Sequence, residues 1–460
     1  MRQSLDADYL VVGAGASGMA FADALVDRAD VHVVIVDRRH GPGGHWIDAY
    51  PVVRLHQASL LYGVASTELG EGHVQSTGPE VGLHERANAA QICAYYARIM
   101  DQLECTGQVT FLRSCEYLGD GLVRSRVSGQ EYDVHVHRRL VDAHYLQPEI
   151  PATTPAPFHV DDDAWAVPVN DLVSLETAPR QYVVVGSGKT ATDTCVWLLS
   201  NGVDPQRICW IRPREPWMIN RAVVQPDPVV FLGMVADVLE AGSRSTSLDE
   251  LFLRLEDVGV MMRIDRDVLP TMARVPTLAA WELDLLRSIE NVVRLGHVRE
   301  VRSDAIVLTD GVIRLAPDTL VVHCAAHGLR DAPTMPIWGN GRITLQPIRS
   351  GFPCFAGALA GYVEATREAA EDKNRLCPPS PYGNSLAGWV RMQVLGGRAA
   401  AAFNSEPDIR EWAHGCALHP ARIRPERRDD PAVQAVIQRV QSVSGPGMAR
   451  MAQLAGMASA

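Results

Sequence analysis

The chain has 460 residues, of which 47% are hydrophobic and 21% are charged, and its formal net charge is −11. This length predicts two or three domains, and the composition is typical of a globular protein. The acidic balance argues against a nucleic-acid-binding surface, and no apolar run is long enough to span a membrane. Because the start of the chain lacks the apolar core of a signal peptide, we expect a cytoplasmic protein without nucleic-acid or membrane partners.

The first motif is a glycine turn between a strand and a helix, in the sequence YLVVGAGASGMAFADAL at residues 9–25. Gly13, Gly15 and Gly18 fit the pattern G-x-G-x-x-G. The first glycine permits a tight turn, the second lets the backbone approach a pyrophosphate, and the third lets the helix pack on the strand. The next apolar run ends at Asp37, where an acid binds ribose hydroxyls. The pattern predicts a dinucleotide site at the N-terminus of the helix.

The segment after this motif, DRRHGPGGHWIDAYPVVRLHQASLLYG at residues 37–63, carries a Gly-Gly-x-Trp element followed by a Tyr-Pro pair. In this it resembles the flavin-containing monooxygenases of class B type, which are FAD-dependent oxidoreductases with two dinucleotide-binding domains. The resemblance implies that the first site holds FAD, with this segment along the ribityl chain and the isoalloxazine ring. The FAD contacts that we expect are Gly13, Gly15, Ser17, Gly18, Asp37, Arg38, Gly44, His45 and Trp46.

A second glycine turn follows in QYVVVGSGKTATDTCVWLL at residues 181–199, which fits G-x-G-x-x-A. The next strand, ICWIRPRE, ends in arginines where the first motif ends in an acid. An arginine can pair with a 2′-phosphate, which an acid would repel, so the pattern favours NADPH over NADH. The alternative is that both arginines are merely solvated. The contacts that we expect are Gly186, Ser187, Gly188, Lys189, Thr190, Arg212 and Arg214.

The order of these patterns predicts an α/β fold with two Rossmann-like dinucleotide-binding domains, one for FAD and one for NADPH. We expect residues 1–150 to form the first part of the FAD domain and residues 165–315 to form the NADPH domain, with a helical insertion at about residues 226–290. Residues 316–362 would return to the FAD domain, beginning with the strand and turn DTLVVHCAAHGL. Residues 363–460 would form a helical C-terminal extension that covers the substrate pocket, forms a homodimer contact, or does both.

The reaction class depends on the cysteines and on the resemblance. None of the nine cysteines forms a C-x-x-C or C-x-x-x-x-C pair, which argues against a disulfide reductase. The resemblance implies a monooxygenase that consumes NADPH and O₂ and oxygenates a small organic substrate through a flavin hydroperoxide. The class B fingerprint F-x-G-x-x-x-H is absent from APFHVDDDAWAVPVND, so an FAD-dependent NAD(P)H reductase or dehydrogenase without oxygen insertion stays the alternative.

The candidate catalytic residues follow the Tyr-Pro pair and are Arg54, His56 and Gln57. Alternate residues of an extended segment share a face, which would pair Arg54 with His56. An arginine there could stabilise a negative charge, and the histidine could transfer a proton. The alternative for the arginine is an FAD phosphate contact or a structural ion pair. We expect no metal site, since no histidine cluster has the spacing of a complete ligand set.

Overall fold

The structure is a computed structural model that describes residues 2–326, 328–349 and 351–458. Up to residue 200 the elements are β1 (Arg2–Val12), α1 (Ala16–Val26), β2 (Val33–Val36), α2 (Ala89–Cys105), β3 (Val109–Leu112), β4 (Cys115–Gly119), β5 (Leu122–Ser125), β6 (Glu131–Asp142), β7 (His159–Val160), β8 (Ala166–Pro168), β9 (Gln181–Val185) and α3 (Lys189–Ser200). Several single 3₁₀ turns lie between them.

The middle of the chain alternates between strands and helices, and the last part is helical. The middle elements are β10 (Ile208–Ile211), β11 (Pro216–Asn220), α4 (Pro228–Arg244), α5 (Leu248–Asp257), β12 (Met261–Arg263), β13 (Met272–Leu278), α6 (Ala280–Arg287), β14 (Val292–Val293), β15 (Val298–Val301), β16 (Ala305–Leu308), β17 (Gly311–Arg314), β18 (Thr319–His323), β19 (Trp338–Gly339) and β20 (Arg342–Thr344). The final helices are α7 (Pro353–Thr366), α8 (Ala370–Leu376), α9 (Leu386–Asn404), α10 (Pro407–Gly415) and α11 (Pro431–Leu454).

The first sheet carries the first glycine turn. Its centre has five parallel strands in the order β20-β6-β1-β2-β3, and the hairpin β4-β5 extends it through an antiparallel pairing with β6. All four residues of β2 are buried, as expected for an internal parallel strand. A Cβ on Gly18 would lie 2.0 Å from the carbonyl oxygen of Gly13, so the contact between α1 and the turn requires glycine.

Helix α7 also packs on α1 through glycines, which allow the two backbones to approach closely. A Cβ on Gly357 would lie 2.6 Å from the carbonyl oxygen of Ser17, and one on Gly361 would lie 2.4 Å from that of Phe21. Since the backbones approach this closely, α7 belongs to the layer that covers the first sheet.

The second sheet carries the second glycine turn and has five parallel strands in the order β14-β10-β9-β18-β8. This order corrects one boundary of the sequence analysis. We expected residues 318–329 to begin the return to the first domain, yet β18 pairs along its whole length with β9 in the second sheet. The chain rejoins the first sheet only at β20, which pairs with β6. Within the expected segment, His327 lies outside the described residues.

The insertion is only partly helical. It contains α4, α5 and α6, as the periodicity predicts, but β12 and β13 also lie in it and flank β11 in a three-stranded sheet. These strands were not predicted, because their apolar runs are short and their partner, β11, lies outside the predicted insertion.

Two of the C-terminal helices, α9 and α11, pack on the insertion. Helix α11 lies along α4 at a close crossing, where a Cβ on Gly447 would be 2.6 Å from the carbonyl oxygen of Leu239. A Cβ on Gly242 would be 2.5 Å from Cγ of Met451, so small residues on both helices permit the contact. Within the described ranges, no helix is both long enough and apolar enough to cross a bilayer.

Candidate functional site

The first glycine turn has the backbone geometry of an open cradle. Gly13 has a φ of +112°, and its N–H donates to the carbonyl oxygen of Val36 at 2.8 Å. Gly15 precedes α1, and a Cβ added to it would meet only the Cα of Gly44, at 3.5 Å. Gly44 itself is required, because its own Cβ would lie 2.9 Å from the Cα of Gly15.

A cavity of about 340 Å³ opens beside this turn. Seven of the nine expected FAD contacts line it, namely Gly13, Gly15, Ser17, Asp37, Arg38, Gly44 and His45. The other two, Gly18 and Trp46, do not line the cavity but support residues near it. Gly18 packs α1 onto the turn, and the indole of Trp46 donates a hydrogen bond to the hydroxyl of Tyr62 at 2.6 Å. Tyr62 lines the cavity, so Trp46 fixes the orientation of a wall residue.

The acid at the end of β2 is buried and oriented. One carboxylate oxygen of Asp37 accepts from the backbone N–H of Ala14 at 2.8 Å, and the other accepts from that of Arg39 at 2.9 Å. A carboxylate has about four acceptor positions, so both oxygens can still accept from hydroxyl groups in the cavity.

Burial, followed by the charge of Arg39, lowers the pKa of the neighbouring His45 to about 4, so its ring is neutral near pH 7.

The second glycine turn repeats the first. Gly186 has a φ of +132°, and a Cβ on it would lie 3.3 Å from the carbonyl oxygen of Cys324. A Cβ on Gly188 would meet no atom within 4 Å, so this glycine faces open space at the start of α3. The indole of Trp210 donates to the carbonyl oxygen of Gly186 at 2.8 Å and holds the turn in place. Ser187 is buried in the turn, while Lys189 and Thr190 begin the helix.

The two arginines after β10 differ in their surroundings. Arg212 is only 2% exposed, lies over the Trp210 ring, and has its Nε 3.3 Å from Oε1 of Glu215. Arg214 is exposed to solvent. Next to them is a cavity of about 550 Å³, which is lined by charged side chains that include Arg212, Arg266, Arg287 and Arg294. Arg212 is therefore an interior ion-pair residue, and Arg214 is the arginine that solvent reaches.

The structure does not bring the three candidate catalytic residues together. Arg54 is exposed and donates to the carbonyl oxygen of Arg86 at 3.0 Å, and Gln57 donates to that of Leu61 at 3.3 Å. His56 is partly buried, and its Nδ1 accepts from the backbone N–H of Thr277 at 3.3 Å. None of the three lines the cavity at the first glycine turn. The expected pairing of Arg54 with His56 therefore has no support, because the two side chains bind different partners.

His56 instead lies beside Arg221, whose Nε donates to the carbonyl oxygen of His56 at 3.0 Å. Burial, followed by the charges of Lys189, Arg221 and Arg86, holds the pKa of His56 well below its ordinary value, so the ring is neutral. Two of these cations belong to a buried network in which Arg221 contacts Glu80 at 2.6 Å and Glu282 at 2.7 Å. The network joins the loop before α2 to the insertion.

A contact between the two motifs lies in the same region. The hydroxyl of Tyr50 donates to Oδ2 of Asp193 at 2.7 Å, and Lys189 forms an ion pair with the same oxygen. Tyr50 belongs to the segment after the first glycine turn, whereas Lys189 and Asp193 belong to α3. Burial and the nearby carboxylate hold the pKa of Tyr50 well above its ordinary value. Asp193 was not predicted as a site residue, although an acid four residues after Lys189 on a helix is a recognisable signal.

Comparison with known proteins shows which family the chain belongs to. Residues 11–59 match the family described as NAD(P)-binding Rossmann-like domain. The whole chain is 40% identical over 464 residues to an uncharacterized protein of Mycobacterium tuberculosis, and to one of Mycobacterium bovis, covering 86% of each. The chain belongs to the same family as these mycobacterial proteins.

The fold of this chain is similar to that of a solved fungal monooxygenase. The polycyclic ketone monooxygenase of the fungus Thermothelomyces thermophila superposes with a TM-score of 0.50 at 12% identity, over 97% of this chain and 89% of that one. A steroid monooxygenase bound to NADP aligns over 96% of this chain and 99% of that one, with a TM-score of 0.47 at 15% identity. The predicted α/β fold with Rossmann-like sheets at the two glycine motifs is confirmed.

Proposed function

We propose that the protein is an FAD-dependent, NADPH-consuming monooxygenase acting on a small organic substrate. The observation that carries the proposal is the contact between Tyr50 and Asp193, which joins the segment beside the first glycine turn to the helix that begins at the second. Two dinucleotide sites that face one junction suit an enzyme in which one nucleotide reduces the other.

The residues at the first turn fit FAD. The open side of Gly15 and the glycine at position 44 leave room for a pyrophosphate next to the backbone, and buried Asp37 presents a carboxylate for ribose hydroxyls. Gly13, Ser17 and Arg38 would complete the phosphate and ribose contacts. His45 and Tyr62 would border the isoalloxazine ring. When bound, FAD supplies the chemistry of accepting a hydride from NADPH and passing electrons to O₂.

The residues at the second turn suit NADPH. Gly188 is open, and the N-terminus of α3 offers backbone N–H groups and a partial positive charge to a pyrophosphate. Lys189 and Thr190 would add side-chain contacts. Arg214 would pair with the 2′-phosphate, since it is exposed and Arg212 is held in the interior. We retain Arg212 only as a residue that shapes the adjacent cavity.

The chain's own contribution at the junction is positioning. His56 is neutral, and its Nδ1 already accepts from the Thr277 N–H, so it holds the insertion in place rather than taking up a proton. Asp193 holds both Lys189 and Tyr50 and so fixes the distance between the two motifs. All nine cysteines are free and none lies in a redox spacing, which agrees with a reaction that uses no protein dithiol.

The test measures the fate of O₂ in steady-state turnover. Purified protein should be yellow, and NADPH should reduce its flavin under anaerobic conditions. In air, with a panel of ketones, sulfides and amines, a monooxygenase will consume NADPH and O₂ while releasing little H₂O₂ once a substrate is present. Equal release of H₂O₂ with every compound, at unchanged NADPH consumption, would instead support the reductase alternative.

The cytoplasmic location and the homodimer stay predictions from the sequence.

A further inference from the structure

Arg349 lies in the turn that connects β20 to α7, close to the cavity at the first glycine turn. Pro347 and Pro353, on either side of it, both line that cavity. The side chain of Arg349 extends toward the C-terminal region. Its Nη1 lies 3.1 Å from Nε2 of His419, and its Cζ lies 5.2 Å from the centre of the Phe231 ring.

Arg349 is a partly buried cation whose partners differ from those of four other cations. Arg86, Arg221, Lys189 and Lys373 each form an ion pair with a buried or partly buried acid. Among the residues that the structure describes, no carboxylate oxygen lies within 4.0 Å of the Arg349 guanidinium. Burial lowers its pKa to about 10, which still leaves it charged at neutral pH.

His419 supplies no negative charge to this pair. Burial, followed by the charge of Arg349, holds its pKa well below the ordinary value, so the ring is neutral. A guanidinium only donates, and therefore Nε2 of His419 accepts and the ring hydrogen is on Nδ1. That Nδ1 is buried and has no hydrogen-bond partner in the described part of the chain. The pair thus carries donors and a positive charge without a matching anion.

The surroundings of the pair are aromatic. The ring of Phe231 packs against that of Phe352 with centres 5.8 Å apart, and His419 lies 4.8 Å from the ring of Phe355. A cation without an anionic partner is unfavourable in such a place, and an anionic ligand with an apolar body would offset this cost. The cavity lined by Pro347 and Pro353 lies beside the turn that carries Arg349.

We propose that Arg349, oriented by His419, binds the carboxylate of the organic substrate, whose apolar body then lies against the neighbouring phenylalanine rings. This inference deepens the proposed function, on which it rests, by assigning the substrate to the class of aromatic or hydrophobic carboxylic acids. Arg349 is the binding residue in this account, and His419 is a positioning residue.

The experiment titrates phenylacetate and phenylacetamide into the FAD-containing protein, with the flavin absorbance and the heat of binding as readouts. These probes differ in charge but little in shape. We expect phenylacetate to bind at least about ten-fold more tightly, since a charged hydrogen-bonded pair contributes more than 1.4 kcal/mol. Arg349→Gln will remove the difference, and Arg349→Lys will retain part of it. The control is Arg314→Gln, which removes the same charge from an exposed arginine and will leave the difference unchanged.

Two results would overturn the proposal. One is equal binding of the acid and the amide to the unaltered protein, and the other is an unchanged difference in Arg349→Gln. If Arg349→Gln fails to fold, the proposal is tested by binding of the two probes to His419→Asn and to the unaltered protein. FAD content and anaerobic reduction by NADPH are measured on the same samples. Their loss in the unaltered protein would refute the proposed function, whereas their presence with equal probe binding would refute only the carboxylate site.

Discussion

The hydroxyl of Tyr50 donates a hydrogen bond to Asp193 across 2.7 Å, and this contact joins the two glycine motifs. The residues are 143 positions apart in the chain. Because Lys189 binds the same carboxylate oxygen, a group at the start of α3 is connected to the segment beside the first cavity by two side-chain contacts. An anion that approaches the N-terminus of α3 would therefore act on a pair already in contact with the segment beside the first cavity.

The coupling between these residues can be measured as a free energy. We expect the unfolding free energies of Tyr50→Phe, Asp193→Asn and the double variant to show a coupling of about 1.5–3 kcal/mol, since a hydrogen bond to a charged group contributes that much. Denaturant titration of the FAD-containing proteins supplies the values. Tyr145→Phe combined with Asp193→Asn is the control, because Tyr145 is bonded elsewhere, to the carbonyl oxygen of Pro333. Additive effects for Tyr50 and Asp193 would contradict the contact.

Two glycine substitutions should separate the nucleotide sites. Gly15→Val places a branched side chain in the open side of the first turn, so we expect a folded, colourless protein. Gly188→Val does the same at the second turn and should give a yellow protein that NADPH no longer reduces at normal concentrations. Each variant is the control for the other. Absorbance at 450 nm and circular dichroism check both, and a yellow Gly15→Val protein would remove the FAD assignment.

The nucleotide preference should depend on one arginine. Arg214→Ala is expected to raise the KM for NADPH by about ten-fold or more and to leave the KM for NADH nearly unchanged, because a charged pair with the 2′-phosphate is lost. Arg212→Ala should instead lower the melting temperature and affect both nucleotides alike, since it leaves Glu215 with one partner fewer. Steady-state kinetics with the two nucleotides decide, and equal KM effects in Arg214→Ala would exclude its phosphate contact.

Two histidines should give opposite pH dependences of stability. Burial lowers the pKa of His323, so below its ordinary pKa of about 6.5 the unfolded chain binds a proton that the folded chain does not, and stability falls as the pH falls. The hydrogen bond to Asp142 raises the pKa of His144, which contributes stability below pH 6.5 that is lost as the pH rises. As the pH falls from 7 to 5, the unfolding free energy of His323→Gln should rise relative to that of the unaltered protein. Over the same change, the unfolding free energy of His144→Gln should fall relative to that of the unaltered protein. Denaturation at three pH values tests both signs.

The local parts of the site follow from the sequence. A strand, a glycine turn and a helix lie next to each other in the chain, so Gly13, Gly15 and Gly188 and the acid at position 37 were all predicted and lie at their turns. The apolar run that ends at Asp37 likewise forms the buried strand β2. These features depend on neighbours within one β-α-β unit.

The long-range parts do not follow from the sequence. Arg349 and His419 are 70 positions apart, and nothing in either segment indicates that the other completes it. The same reason explains why β18 was assigned to the wrong sheet, since an apolar strand does not specify its partner. Arg54 and His56 share a periodicity but bind different groups, because the partners come from distant elements.

The central claim is that electrons from NADPH pass through FAD to O₂ and that one oxygen atom is then inserted into a substrate. Rapid mixing of the NADPH-reduced protein with O₂, followed by absorbance from 350 to 500 nm, tests it most directly. The account predicts a transient spectrum that matches neither reduced nor oxidised flavin and that decays faster when a substrate is added. A single-phase return to the oxidised spectrum, with one H₂O₂ released per flavin at every NADP⁺ concentration, would contradict it.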